Sequence, residues 1–428
     1  MTSPSNPYDE FPYKCCPIEW AAPERLALAS LLHGGPRSPL DHYRVLELGC
    51  GNGANLLPLA FYRRHSNFVG IDGAKSQIDL AEARQAALDL SNLEFIHLDF
   101  LRAAERISGP FDYIIAHGVF SWVPTEVRDA LFQLCAHHLR PGGLLYLNYN
   151  TRPGWNVRGL VREFLLAQTA GETSLRARAQ AAQAVAAQVV SALSGMEHHY
   201  SQLLADEFRF VGEGEISWVG HEFLAADNHP YWRGEFLALA RSHGLEYVAD
   251  ADFNYGSGRI PEDLPPKLDL AGIIGRSLED TVDLFCYRQL HSPIFTPAPW
   301  TRNPPGLIEF GNLYVASCLE PAAPDDDSVH PMFKHPSGYE VEAREEFMRA
   351  ALTRLRPLWP GGLRVAEIFP DLNQAMDDLM LLHRTGLIEL RGTEPEGHDD
   401  RENALNRLER AWGGYVTTPD HTTIVPEA

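Results

Sequence analysis

The chain runs to 428 residues, with 57 acidic against 36 basic side chains, a formal net charge of −21 and 45% apolar residues. That length suits about three domains of ordinary size, and the charge argues against a nucleic-acid partner, whose phosphates it would repel. A basic protein segment would be attracted, although acidity can also serve solubility alone. No apolar run approaches the ~18 residues that span a bilayer, and the stretch from Met1 to Pro7 lacks the features of a signal peptide. A cytoplasmic protein without membrane insertion is therefore expected. The six cysteines, at 15, 16, 50, 135, 286 and 318, show no CxxC spacing and read as reduced thiols. His221-Glu222 begins a string like HExxH, but Ala225 stands where the second histidine would be, so no metal site is expected.

In chain order, the first strong element is Val45-Leu46-Glu47-Leu48-Gly49-Cys50-Gly51-Asn52-Gly53-Ala54-Asn55. An apolar strand carries Glu47, glycines follow at every second position, and a helix starts at Asn55. Glycines spaced this way let backbone approach a ligand that any side chain would block. A second buried strand, Phe68 to Asp72, ends in an acid 19 residues beyond Gly53, the distance at which a carboxylate can accept ribose hydroxyls. A third, Leu93 to Leu98, leads into Asp99 and Phe100; a fourth, Phe111 to Ala116, leads into His117-Gly118. A fifth runs from Gly143 to Leu147, after the helix-stopping Arg140-Pro141-Gly142. Helical patterns at 74–88 and 124–139 separate the strands, as in a parallel βαβ sheet.

An NAD-binding turn places its third glycine three residues after the second; here the interval is two, and Ala54 follows. Glu47 and Asp99 would repel a pyrophosphate, whereas carboxylates suit a ligand carrying an amine, a sulfonium and an adenine. S-adenosylmethionine is that ligand.

Residues 156–205 read as helical throughout, with a narrow apolar stripe of Ala182, Val185, Val189, Leu193 and Met196. The stripe needs a partner helix, in this chain or in a second subunit, which leaves open a homodimer through this segment. His198-His199 reads as a solvated helix face. A helix at 232–243, stopped by Gly244, and a strand at 245–249 follow, and Asp280 to Arg288 reads as an antiparallel seventh strand. Five prolines between Ser292 and Pro305 mark a boundary without regular structure. Beyond a strand at 313–317 and an acidic segment at 320–328, helices at 341–354 and 371–385 and a strand at 387–390 suggest a winged-helix-like unit. Its second helix carries Asp371, Asp377 and Asp378, with Arg384 only at its end, which favours protein contact over DNA.

The order Glu-x-Gly-x-Gly-x-Gly, acid after strand two, acid plus aromatic after strand three resembles the class I methyltransferases. The stretches His117-Gly118-Val119-Phe120-Ser121-Trp122-Val123-Pro124 and Tyr149-Asn150-Thr151-Arg152-Pro153-Gly154-Trp155 narrow the likeness. So do Tyr8 to Tyr13, Pro23 to Ala27, His221 to Leu224 and Asn228-His229-Pro230. They are similar to bacterial methyltransferases with a methyltransferase regulatory domain, whose best-understood members resemble rickettsial-type protein lysine methyltransferases acting on outer-membrane proteins. Ala21-Ala22 and Cys286 to Leu290 depart from the family pattern, which bears on the substrate more than on the chemistry.

The resemblance implies an α/β fold: a Rossmann-like class I sheet with an inserted helical segment and a C-terminal winged-helix-like α+β domain. The divisions expected are 1–155 for the S-adenosylmethionine-binding core, 156–205 for the helical insertion, 206–292 for the rest of the core or a regulatory region, and 306–428 for the C-terminal domain. It also implies that Glu47, Gly49, Gly51, Asn52, Gly53, Asp72, Asp99, Phe100 and the backbone of His117 hold the cofactor. Methyl transfer to a protein or peptide amine, most naturally lysine, would then use Trp122 in the acceptor pocket, with Tyr149, Trp155 and Tyr13 as further lining and His117 as a candidate base. The alternatives are a methyltransferase for a small metabolite or peptide carboxylate or amine, and a non-catalytic cofactor-binding regulator.

Overall fold

The structure, a computed structural model, describes residues 6–103, 106–251, 278–322, 331–336, 338–394, 402–419, 421 and 423–424. The acidic segment expected at 320–328 falls largely outside them. Seven strands form one sheet: β1 (Arg44–Leu48), β2 (Asn67–Asp72), β3 (Leu93–His97), β4 (Phe111–Ala116), β5 (Leu139–Leu147), β6 (Leu245–Asp250) and β7 (Pro293–Pro297). Their order is β3-β2-β1-β4-β5-β7-β6, with β7 antiparallel to both neighbours and the others parallel. Every residue of β4 is buried, the near-continuous apolar run of a strand covered on both faces. Side chains alternate between two cores: Val45, Tyr113 and Tyr146 join one cluster, while Leu46, Ile114 and Leu145 join the other.

The seventh strand corrects the sequence reading. Asp280 to Arg288 is mostly helix, Leu278–Phe285, not a strand. Its β-branched centre mimics a strand, yet Asp280 and Asp283 sit three apart and both are buried, Asp280 accepting from the Gly234 N–H and Asp283 bound to His291. The strand instead occupies the proline-rich stretch. Pro293 and Pro297 lie at its two ends, and Ile294, Phe295 and Thr296 fill the interior between β5 and β6.

The helical insertion is longer and more broken than expected. It comprises α1 (Arg152–Gln168), α2 (Leu175–Leu193), α3 (His199–Glu213) and α4 (Ile216–Phe223). Its own core joins Val161, Leu165, Ala179, Ala182, Ala186, Phe208, Val211 and Phe223 to Phe11 from the N-terminal segment. The small Ala179, Ala182 and Ala186 lie on one face of α2 and admit α3 closely, so the partner of the apolar stripe is in the same chain. Met196, at the end of the predicted stripe, is exposed.

The C-terminal unit packs Phe310, Val315, Met348, Leu352, Leu379 and Leu390 against Leu28 and Leu32 of the helix Pro23–Leu32. Its antiparallel sheet holds Tyr314–Ala316 between Leu363–Arg364 and Glu389–Arg391, with helices Glu346–Leu355 and Leu372–Arg384 beside it. The chain does not end there. The helix Glu402–Gly413 and the hairpin of Val416–Thr417 with Thr423–Ile424 return to the seven-stranded sheet. There Leu405, Leu408 and Trp412 join the first core and the Arg84 guanidinium lies 4.7 Å from the Trp412 ring centre. Among the described residues beyond 306, this last helix and hairpin thus pack on the seven-stranded sheet, apart from the core around Val315 and Leu352. No helix among the described residues is long and apolar enough to cross a membrane.

Candidate active site

The turn after β1 holds Gly49, Gly51 and Gly53 at φ of +78°, +52° and +76°, where a side chain is strained at each. Space constrains them differently. A Cβ on Gly51 would meet the Cys15 sulfur at 2.7 Å at the edge of the cleft, whereas one on Gly53 would strike Phe95 of β3 at 2.6 Å. Gly51 thus lets the Cys15 sulfur close on the turn at the edge of the cleft, and Gly53 lets the turn pack on the sheet. Asn52 and Gly53, expected to bind cofactor, lie behind the cleft; Asn52 is buried and its carbonyl accepts from Arg84.

The cleft has a volume of about 640 Å³ and runs along the C-terminal ends of β1, β2 and β4. It brings together Glu47, Gly49, Gly51, Asp72, Asp99, Phe100 and His117 at one end, and Tyr13, Trp122, Tyr149 and Trp155 towards the other. Glu47 is 4% exposed, and its Oε1 accepts from Asn55 Nδ2 at 3.0 Å. Burial pushes its carboxyl up to about 8, against the opposing hydrogen bond from Asn55. Its Oε2 is buried with no partner, an acceptor awaiting a donor. Asp72 accepts from the Gly51 N–H at 2.9 Å and the Ala74 N–H at 2.8 Å. Burial raises it too, while those two donors hold it down. Asp99 accepts from the Leu101 N–H at 2.8 Å, presenting Phe100 to the cleft.

His117 is stacked parallel to Tyr146 and receives a hydrogen bond at Nδ1, 2.8 Å from the Tyr146 hydroxyl, which itself accepts from Trp20 Nε1 at 2.9 Å. That chain assigns the ring proton to Nε2. Burial lowers the imidazole to about 4, so it is neutral at pH 7 and a poor base. Tyr149 reaches the cleft only as wall: its ring is buried and stacked on Phe236 with centres 3.6 Å apart.

The other end of the cleft is aromatic. Trp122, in a turn beyond β4, meets Trp155 of α1 edge-to-face at 5.3 Å, and Phe210 of α3 meets Trp218 of α4 at 4.5 Å. Arg158 lies 4.4 Å from the Phe210 ring centre, its charge engaged by Glu207 at 3.0 Å with both side chains buried. Glu222 of α4 lines the same end, with the Tyr13 hydroxyl and the Trp218 indole N–H as polar neighbours that lower its carboxyl. Burial pushes its carboxyl up to about 7, against the lowering effect of Arg158 and those two neighbours. Sequence reasoning passed over Glu222, Trp218, Phe210 and Arg158. The available signal was an acid four residues after a tryptophan in the apolar helix of residues 216–223, a spacing that places both on one face.

Could these residues hold S-adenosylmethionine? The unpartnered Glu47 oxygen and the carboxylates of Glu47, Asp72 and Asp99 along the cleft suit a cationic amino-acid nucleoside and oppose a pyrophosphate. Sheet order, glycine turn and acidic strand ends define a class I methyltransferase dependent on S-adenosylmethionine, and the family described as "Methyltransferase domain" matches residues 46–145. An uncharacterized protein of Rickettsia prowazekii, RP028, is 30% identical over 234 residues, covering 55% of this chain and 93% of that one. The chain belongs to its family. A second protein of that organism, RP789, is 35% identical over 263 residues, 61% of this chain and 47% of that one, so the match spans about half of RP789. Among solved structures, PKMT2 from Rickettsia typhi shares the fold with a TM-score of 0.81 at 21% identity, over 97% of this chain and 86% of that one. Its complex with AdoHcy gives 0.80. Among the described residues no group of three His, Cys, Asp or Glu could hold a metal ion.

Proposed function

We propose that the protein transfers the methyl group of S-adenosylmethionine to the side-chain amine of a lysine in a protein or peptide. The observation that carries this reading is the far end of the cleft, where aromatic rings surround a carboxylate, Glu222. A ring face and an acid together favour a cation and disfavour a carboxylate acceptor. When bound, the cofactor supplies an electrophilic methyl on a sulfonium. The chain's part is to hold it at Glu47, Gly51, Asp72 and Asp99, to align an amine opposite it, and to keep water out with Trp122 and Trp155. His117, lowered to about 4 by burial, orients the wall and takes no proton.

The net charge of −21 supports a basic acceptor. So do the extra units, since a polypeptide needs a surface beside the pocket where a metabolite needs only a lid. We read the C-terminal unit as winged-helix-like and as a protein-contact surface. The free cysteines suit a cytoplasmic setting. Transfer of labelled methyl groups to a cell lysate, resolved by size and then by amino-acid hydrolysis, tests the proposal. Label recovered as methyllysine supports it; label confined to small molecules would overturn it in favour of a metabolite acceptor.

A further inference from the structure

We infer that Glu222 is the group that receives the acceptor lysine at the far end of the cleft and takes its proton, so that transfer and acceptor binding both depend on this one carboxylate. The inference rests on the proposed lysine acceptor and adds what removes the proton from an ammonium that must become a nucleophile.

Three features of the site carry it. Glu222 stands on α4 among the cleft-lining residues, facing the end where Trp122 and Trp155 stand edge-to-face. Its polar neighbours Tyr13 and Trp218 carry an O–H and an N–H, so they favour the carboxylate without adding charge. The nearest cation, Arg158, is engaged by Glu207, to which the Tyr287 hydroxyl also donates at 2.8 Å. Arg158 thereby steadies Glu222 from a distance while its own ion pair lies elsewhere. An acid kept in an aromatic cleft beside two neutral polar neighbours is built to meet a cation brought from outside.

Burial holds the Glu222 carboxyl near about 7, where an acid exchanges protons readily at physiological pH. Besides the charged Lys14, which lines the cleft next to Tyr13, the other titratable groups facing this end are Tyr8, Tyr13, Cys15 and Cys16 from the N-terminal segment and His221 beside it on α4. Of the last five groups the charge states follow from burial. Burial raises both tyrosines and both thiols, and burial lowers His221, so all five stay neutral near pH 7 and none competes for the proton.

The step balances as follows. The lysine ε-ammonium gives one proton to a Glu222 oxygen, turning carboxylate to carboxylic acid. The freed nitrogen lone pair forms the new N–C bond to the methyl carbon. The C–S bond breaks with its electron pair staying on sulfur, and the positive charge lost from sulfur reappears on the methylated nitrogen. Glu222 then releases its proton to solvent.

The test uses the full chain and two synthetic peptides, one with a single lysine and one with norleucine in its place. Calorimetry without cofactor measures peptide binding, and rapid-mixing assays measure transfer between pH 6 and 9. The wild type should bind the lysine peptide at least 10-fold more tightly than the norleucine peptide, with transfer rising through about pH 7. Glu222→Gln should erase that preference and lower kcat at least 50-fold. It should remove the limb near pH 7 and leave S-adenosylmethionine affinity within about twofold. Glu222→Asp should recover part of the preference and serves if the Gln variant does not fold. Unchanged preference and pH profile in both variants, with lysine still methylated, would overturn the role of Glu222 alone. A wild type that methylates no lysine at all would instead overturn the acceptor assignment beneath it.

Discussion

The two ends of the cleft are built in opposite ways. At the cofactor end, Glu47, Gly51, Asp72, Asp99 and His117 come from one stretch between residues 47 and 117, each at or beyond the end of a parallel strand. At the acceptor end, Tyr13, Trp122, Trp155, Phe210 and Glu222 come from five separate elements spread over more than 200 residues. In a parallel sheet the carboxyl ends of the strands must converge on a crevice, so topology alone assembles the first end. Only packing of the inserted helices against the N-terminal segment assembles the second. The cofactor end is therefore general to its class, and on the proposed function the acceptor end is where this chain sets its own substrate.

Substitutions that hit one end and spare the other test that division most severely. Gly51→Arg should abolish cofactor binding, a loss above 100-fold by calorimetry. The position needs φ of +52°, and even a Cβ would meet Cys15 sulfur at 2.7 Å. Trp122→Ala should do the reverse. Removing half of the edge-to-face pair with Trp155 should cut transfer about 30- to 100-fold, equivalent to about 2–3 kcal/mol of transition-state stabilisation, with cofactor affinity within twofold. If Trp122→Ala weakens the cofactor as much as the acceptor, the two ends are one site and the division is wrong.

The same contrast decided what the sequence could disclose. Strands β1 and β4 were legible because a strand buried on both faces writes itself as an apolar run, and the glycine turn because positive φ leaves few other choices. The seventh strand was misread because prolines at both ends of Pro293–Pro297 look like a linker, while Asp280 to Arg288 carries β-branched residues inside a helix. Burial of its two acids against Gly234 and His291 is a tertiary fact that propensity cannot anticipate. The place of Glu222 in the cleft was missed for the same reason: its neighbours Tyr13 and Arg158 lie 209 and 64 residues away along the chain. Tyr149, expected as lining from its place after β5, does line the cleft, as a wall whose ring is stacked on Phe236 in the core.

A gentler probe of the cofactor end is pH. Glu47 holds its proton up to about 8 in the folded protein, against 4.5 for an ordinary glutamate, with burial as the first cause. Between those values the folded state binds a proton that the unfolded state lacks. Glu47 therefore contributes a stability to the cofactor-free protein that is present at low pH and lost as pH rises through this window. A cationic ligand favours the ionised carboxylate, so cofactor affinity should rise with pH towards 8, by up to about tenfold per unit, with a proton released on binding. Calorimetry in buffers of differing ionisation enthalpy counts that proton. Glu47→Gln should release none, whereas Glu222→Gln should leave the count unchanged. A dissociation constant that stays flat from pH 6 to 9 in the wild type would show that Glu47 does not face the cofactor's charge.

The smallest expected effect reaches the cofactor end from the other terminus of the chain. His421 is buried, and its Nε2 lies 2.8 Å from Asn55 Oδ1, the same oxygen that accepts the Ile18 N–H at 2.9 Å. Burial lowers this imidazole to about 3, so it is neutral, and the contact requires the proton on Nε2. Asn55 in turn donates to Glu47, so the returning C-terminal hairpin touches the cofactor end through one intermediary. His421→Ala removes one of two donors to that oxygen and should cost about 1–3 kcal/mol of stability. Glu47 would lose some orientation but keep its partner, so cofactor affinity should fall only about two- to fivefold, and the lysine-over-norleucine preference at the acceptor end should not move. Asn55→Ala should weaken the cofactor more than His421→Ala does, because it strips Glu47 directly. The combined variant should be no worse for the cofactor than Asn55→Ala alone if His421 acts only through Asn55. Additive losses would instead mean that the hairpin supports the glycine turn by a second route, through Trp412 and Arg84.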